Sequence, residues 1–187
     1  MNTATITTIP TGTYSIDPTH SRIGFVARHA MVSKVRGSFN EFDGTGSFDA
    51  ENPANSQLHL RIQVASIDTR NPDRDGHLKS NDFFDIETYP EITFASTAVE
   101  QFDPSTFRVT GDLTVKGITK PVTVDFEYSG AAVDPYGNQR VGLEGTTTIN
   151  RKDFGVTWNA ALETGGVLVS DKVSLEFDVS AIRSDAR

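Results

Sequence analysis

The chain contains no cysteine. Disulfides, thiolate nucleophiles and cysteine-ligated zinc or iron–sulfur centres are therefore excluded. It has no apolar run of transmembrane length. The N-terminus, MNTATITTIPTGTYSID, lacks both a basic n-region and an apolar h-region, so a cytoplasmic location is expected. Positive charge is also scarce: 17 Lys and Arg against 25 Asp and Glu leave a formal net charge of -8. That balance opposes the phosphate backbone of a nucleic acid. It also argues against electrostatic docking on an anionic membrane, while leaving apolar insertion open. The four histidines, His20, His29, His59 and His77, form no H-E-x-x-H or His-x-His pattern. No metal or cofactor is expected. Ser21 lies outside any G-x-S-x-G elbow, and the GTG at Gly44 to Gly46 lacks both a dinucleotide fingerprint and a Walker lysine.

What the chain does have is alternation of period two, the mark of strands with one apolar and one polar face. In SQLHLRIQVAS, Leu58, Leu60, Ile62 and Val64 oppose His59, Arg61 and Gln63; in KVSLEFDVSAI, Val173, Leu175, Phe177, Val179 and Ala181 oppose Ser174, Glu176, Asp178 and Ser180. Shorter patterns occur in SRIGFVAR, VRGSFNEFDGTGSF, EITFAST, FRVTGDLTV, VTVDFEY and RVGLEGTTTI. About eight strands follow by pattern. Lys116 and Gly117 read as a tight hairpin turn, Pro121 as a bulge or edge position, and DPST and PYGN as further turns. With 187 residues and hardly any helix, the expectation is one all-β domain, either a closed antiparallel barrel or a two-sheet sandwich.

Two segments break the rhythm, residues 68 to 91 and 151 to 171, both long for hairpin loops. The first holds DRDGHLKSNDFFDIETYP, with Asn71 as a helix cap, Pro72 at the first helical position, and Phe83 and Phe84 on a following turn. Its Asp73, Arg74, Asp75 and His77 suit general acid–base chemistry on paper, yet acids at a helix start and Arg–Asp pairs that pin a loop explain them more simply. The aromatics say more. Phe25, Phe39, Phe94, Phe126 and Phe177 alternate inward on strands, and Phe83, Phe84, Phe154 and Trp158 lie on the two long segments. They fill a core or line a tunnel, and periodicity does not choose between the two.

Taken together, YSIDPTHSRIGFVARHAMVSKVRGSFNEFDGTGSFD, SIDTRNPDRDGHLKSNDFFDIETYPEITF, TGDLTVKGITKPVTVDFEY and TINRKDFGVTWN resemble, in order, the motifs of the YceI-like family of polyisoprenoid-binding proteins. The resemblance spans roughly residues 13 to 182. It implies an eight-stranded antiparallel lipocalin-like barrel with a short helical crossover, as a single domain over residues 13–183 behind a flexible segment 1–12. It further implies non-catalytic binding, storage or transport of a polyprenyl chain, an isoprenoid quinone or a fatty amphiphile. Ligand contacts are then expected from Phe25, Phe39, Leu60, Ile62, Phe83, Phe84, Phe94, Leu113, Phe126, Leu143, Phe154, Trp158, Leu175 and Phe177. The ligand's polar end needs a hydrogen-bond partner, for which Arg74, Asp75, His77 and His29 are the candidates. A homodimer is compatible with the family. Two other readings stay open: an enzyme built on His20, His29, His77 and nearby Asp, with or without metal, and a filled-barrel interaction module.

Overall fold

A computed structural model describes residues 9–184. In chain order the strands are β1 (Gly12–Ile16), β2 (Arg22–His29), β3 (Ser33–Phe39), β4 (Phe42–Phe48), β5 (Gln57–Gln63) and β6 (Ile67–Asp68). They are followed by helix α1 (Pro72–Lys79) and by β7 (Glu91–Asp103), β8 (Thr106–Val115), β9 (Ile118–Val133), β10 (Gln139–Asn150) and β11 (Lys172–Arg183). The expected N-terminal segment falls mostly outside the described residues; inside them Ile9 is buried and Gly12 already opens β1.

Pairing is antiparallel and runs β1-β4-β5-β7-β8-β9-β10-β11, with contact between β11 and β1 closing the ring into an eight-stranded barrel. Closure leaves no free edge in the ring for another chain to pair with. The remaining strands, β2, β3 and β6, form a flank joined to the ring through β2 and β11. Strand β11 serves both neighbours: residues 181–183 pair with β1 and residues 174–178 with β2. Between those stretches the incoming chain leaves the sheet in a short 3-10 turn, Pro18–His20. Ser21 repairs the gap, its hydroxyl accepting from the Ser180 N–H at 2.9 Å, while the Asp17 N–H donates to the Ser180 carbonyl at 2.8 Å.

Local chemistry sets the turns. Lys116 and Gly117 both have positive φ, 51° and 74°, the two-residue hairpin geometry that matches strand twist. Pro121 pairs with Asp112 on a stretch of β9 where the ladder to β10 has not yet begun, so its missing N–H is tolerated. Asn71 caps α1 by accepting the Arg74 N–H at 3.1 Å. Three details differ from the pattern reading. The run VRGSFNEFDGTGSF is two strands, β3 and β4, turning at Asn40 and Glu41. Strand β5 ends at Gln63, and Val64, read as a strand residue, begins a 3-10 turn yet is only 1% exposed. The first ring strand, β1, was not among the alternating runs, because it carries only Tyr14 and Ile16 as inward apolar residues.

At the split between β1 and β2, Arg140 of β10 donates from Nη1 to the Asp17 carboxylate at 2.8 Å and from Nε to the Asp134 carboxylate at 2.7 Å. These bonds hold both carboxyl groups well below the usual carboxylate range. A depressed folded pKa gives stability that is present above the unfolded value and lost as pH falls toward the folded one. Arg140→Ala is therefore expected to lower stability at neutral pH and to flatten its decline below about pH 5, read from urea unfolding at a series of pH values. Equal acid sensitivity in the two proteins would contradict this assignment.

Candidate functional site

The inward positions of the ring enclose a cavity of about 290 Å³, at the lower end of small-molecule pockets, which run roughly 300–1,000 Å³. Its wall comes from across the ring: Ile16, Leu60 and Ile62, Ile92 and Phe94, Val109 and Leu113, Val122, Val124 and Phe126, Leu143 and Ile149, Leu175, Phe177 and Val179. A barrel filled by its own side chains would bury all of these, as interiors normally pack without voids. Instead Leu60, Phe94, Val122, Leu143, Ile149, Leu175 and Phe177 face inward and remain partly exposed. Large apolar groups on the inner wall thus pack on their neighbours in the sheet and stay uncovered on the lumen side.

One end of the cavity is stopped by the crossover that carries α1. Phe83, 5% exposed, and Phe84 both border the cavity. Phe84 meets Phe39 edge-on with ring centres 6.3 Å apart, and Phe39 continues to Phe25 at 5.7 Å. The Phe25 ring lies across Gly37, where a Cβ would collide with it, so the Arg-Gly-x-Phe pattern is a packing requirement. Leu78 of α1 adds to the same wall.

The expected lumen residues all border the cavity except Trp158. Trp158 stands one layer behind, tilted against Phe83 at 5.3 Å and edge-on to His77 at 4.7 Å. It supports the plug from outside.

None of the four proposed polar-end residues borders the cavity. Arg74 donates to the Thr69 hydroxyl at 2.8 Å and to the Thr69 carbonyl at 2.7 Å, and Asp75 accepts the Thr69 N–H at 2.9 Å. Both side chains therefore brace the entry to α1. His77 lies 2.8 Å from the Asp82 carboxylate and packs on Phe83. His29 is exposed, and its backbone bridges to Val169, a wall residue. These two histidines stand next to the wall without entering it. His20, with 66% side-chain exposure, is held by Asp17 at the split between β1 and β2. Among the described residues no three His, Asp or Glu side chains gather as a metal site would require.

Arg151 was not singled out in the sequence, though it sits in the quoted TINRKDF motif. Only 5% exposed, it is the sole charged residue in the wall among the described residues. Its Nε donates to the Ser170 carbonyl at 2.8 Å, and its Nη1 donates to the carbonyls of Val156 and Trp158 at 2.7 and 2.9 Å. A further bond from Nη2 reaches the Val169 carbonyl at 3.3 Å. Burial pushes its pKa down and Asp171, 3.9 Å away, pulls it back up; an arginine remains charged. The guanidinium thereby ties residues 156–158 to residues 169–170 across the second long segment. A signal existed in the sequence: a cation between inward Ile149 and Phe154 has to find acceptors when buried. At the opposite end the Tyr128 hydroxyl is buried with no hydrogen-bond partner among the described residues, and burial raises its pKa.

A YceI-like domain profile matches residues 14–181. The chain belongs to the YceI-like family. It is 42% identical over 137 residues to a UPF0312 protein of Pseudomonas savastanoi, covering 73% of this chain and 71% of that protein. With a UPF0312 protein of Staphylococcus aureus it shares 41% identity over 172 residues, covering 89% and 98%. Among solved structures, Burkholderia cenocepacia BcnA superposes with a TM-score of 0.78 at 27% identity, over 88% of this chain and 98% of that one. A polyisoprenoid binding domain from Saccharophagus degradans shares the fold with a TM-score of 0.67 at 15% identity, over 91% and 98%. No helix among the described residues is long and apolar enough to cross a membrane.

Within this YceI-like barrel Arg151 predicts a clear stability effect. Arg151→Met keeps the apolar stem but leaves the buried Val156 carbonyl and three partly buried carbonyls without this donor, a loss of about 3 kcal/mol. The urea midpoint should fall accordingly; an unchanged midpoint would show that the guanidinium is dispensable to the crossover.

Proposed function

We propose that the protein is a non-catalytic carrier or store for a long-chain amphiphile, an isoprenoid or a comparable lipid, held in the barrel lumen. The observation that carries this reading is the set of inward-facing, partly exposed apolar side chains from Leu60 to Phe177 around the cavity. Thr45, Ser47 and Ser56 border the cavity, but no His, Asp or Glu lines it to activate them, and among the described residues no cluster of metal ligands forms. What the wall offers is dry contact area, and each methylene moved out of water into such contact gains roughly 0.8 kcal/mol. Membership of the YceI-like family, and the likeness in fold to a domain described as polyisoprenoid binding, support the same reading. The residues proposed to touch the ligand's chain are those expected from the sequence apart from Trp158, together with Val122, Val124 and Ile149.

The ligand's polar end is proposed to reach the crossover end, which requires the plug of Phe83 and Phe84 to part. His77 and His29 stand there beside wall residues and are still accessible, whereas Arg74 and Asp75 are occupied with Thr69. Specificity then comes mainly from chain length and shape, with a tolerant choice of head group.

Native mass spectrometry of the purified protein, followed by solvent extraction, tests this. A released polyprenyl species, quinone or fatty amphiphile is the expected result, and Val122→Phe, which fills the lumen, should abolish it while the protein stays folded. An extract without lipid, combined with failure to take up added polyprenyl alcohol or fatty acid, would instead favour a barrel that works through its outer surface.

A further inference from the structure

The hairpin that joins β2 to β3 reverses the charge of the rest of the molecule. Residues 18–40 hold Arg22, Arg28, Lys34 and Arg36 and no Asp or Glu, in a chain whose net charge is -8. Arg22 and Arg36 reach back to Glu176, at 3.1 and 3.7 Å. Arg28 and Lys34, opposite each other across the two strands, are exposed, and neither side chain has an ion-pair partner among the described residues. Beyond them the turn carries Met31 and Val32, 58% and 81% exposed. Val167, 38% exposed, comes from the neighbouring segment. That segment also brings Glu163, exposed, and Asp171, which Lys152 pairs at 3.2 Å. The crest stays cationic around an apolar tip.

This tip is held in place. Ala30 and Met31 have φ of 52° and 67°, a region that costs non-glycine residues energy and persists only where neighbours enforce it. The enforcement comes from the Ala30 N–H, which donates to the Leu168 carbonyl at 2.8 Å, and from the bridge between His29 and Val169. Both ties run to the segment that Arg151 anchors. Just below the tip, Phe25, Ala27 and Val169 border the cavity. The crest therefore rises from the wall of the lumen at its crossover end.

We propose that this hairpin docks the barrel on an anionic phospholipid bilayer. Met31, Val32 and Val167 enter the headgroup boundary, and Arg28 and Lys34 meet lipid phosphates. Shallow apolar insertion and basic contacts to lipid phosphates are two signals that add at a membrane surface. The whole-chain charge does not prevent it, because repulsion from distant acids is screened beyond about 8 Å at physiological ionic strength; the groups that touch the surface decide. A protein partner suits the feature less well, since a stable complex buries about 800 Å² on each side and a convex three-residue tip offers far less. Docked in this way, the crossover end of the lumen faces the acyl layer, and this last consequence alone rests on the lipid-carrier reading.

Flotation of the full-length protein with vesicles tests the proposal, using phosphatidylglycerol mixed with phosphatidylcholine on one side and phosphatidylcholine alone on the other. The parent protein should float with the anionic vesicles and be released by salt. Each basic residue at an anionic surface raises partitioning roughly fivefold, so Arg28→Glu combined with Lys34→Glu should lower it by about 30-fold or more. Val32→Asp should lower it by a separate, salt-insensitive route. Parent protein that floats with neither vesicle or equally with both, or charge-reversed protein that floats like the parent, overturns the proposal. Lumen loading is read independently by native mass spectrometry: protein that loads lipid but does not float overturns docking, and protein that floats but never loads leaves docking standing and overturns the carrier reading.

Discussion

Closure of the ring depends on a short seam. Among the described residues three positions of β1 pair with β11, Tyr14 with Arg183, Ser15 with Ile182 and Ile16 with Ala181, and the Ser184 N–H donates to the Thr13 carbonyl at 2.7 Å. Everything enclosed by the barrel relies on that seam, because an open sheet of this width would present an edge and let water into the lumen. The chain protects it with polar chemistry at the point where β1 gives way to β2. Asp17, Arg140 and Asp134 fix the turn, and the Ser21 hydroxyl stands in for a missing ladder partner at Ser180. Residues that suggest catalysis when read in isolation, Ser21 beside His20, are here part of the closure.

The interior follows the opposite rule. Its wall is apolar, its one cation is satisfied by backbone carbonyls, and the aromatic groups that close the crossover end pack on one another from Trp158 through Phe83. Burying Arg151 is tolerable because nearly all of its donors have acceptors; a buried charge with fewer partners would cost several kcal/mol. The price of the arrangement is unfilled space. Void in a core normally lowers stability by about 1 kcal/mol or more for each missing methyl group, so partly exposed Leu60, Phe94 and Leu175 are sites that a ligand would improve.

Much of this was legible in the sequence, and the exceptions share a cause. Alternation in SQLHLRIQVAS and KVSLEFDVSAI named the inward side chains of β5 and β11 correctly, since the period of two is a local property. Asn71, Pro72 and the turn at Lys116 and Gly117 were local as well. The split between β1 and β2, the flank made by β3 and β6, and the withdrawal of Trp158 behind Phe83 were not legible, because each depends on partners far away in the chain. Whether the lumen is open was likewise hidden: the same inward Phe and Leu residues suit a filled barrel or an empty one, and the difference lies in volume. Net charge misled in one respect, since an average of -8 concealed a hairpin without acids.

The central claim is that apolar contact along the lumen, and no polar site, carries the affinity. A series of amphiphiles with one head group and increasing chain length, titrated by calorimetry, tests it most directly. Affinity should rise about fourfold for each added methylene, the equivalent of roughly 0.8 kcal/mol, until the cavity is full, with an increasingly negative heat capacity of binding. Affinity that follows the head group and ignores chain length would contradict the account.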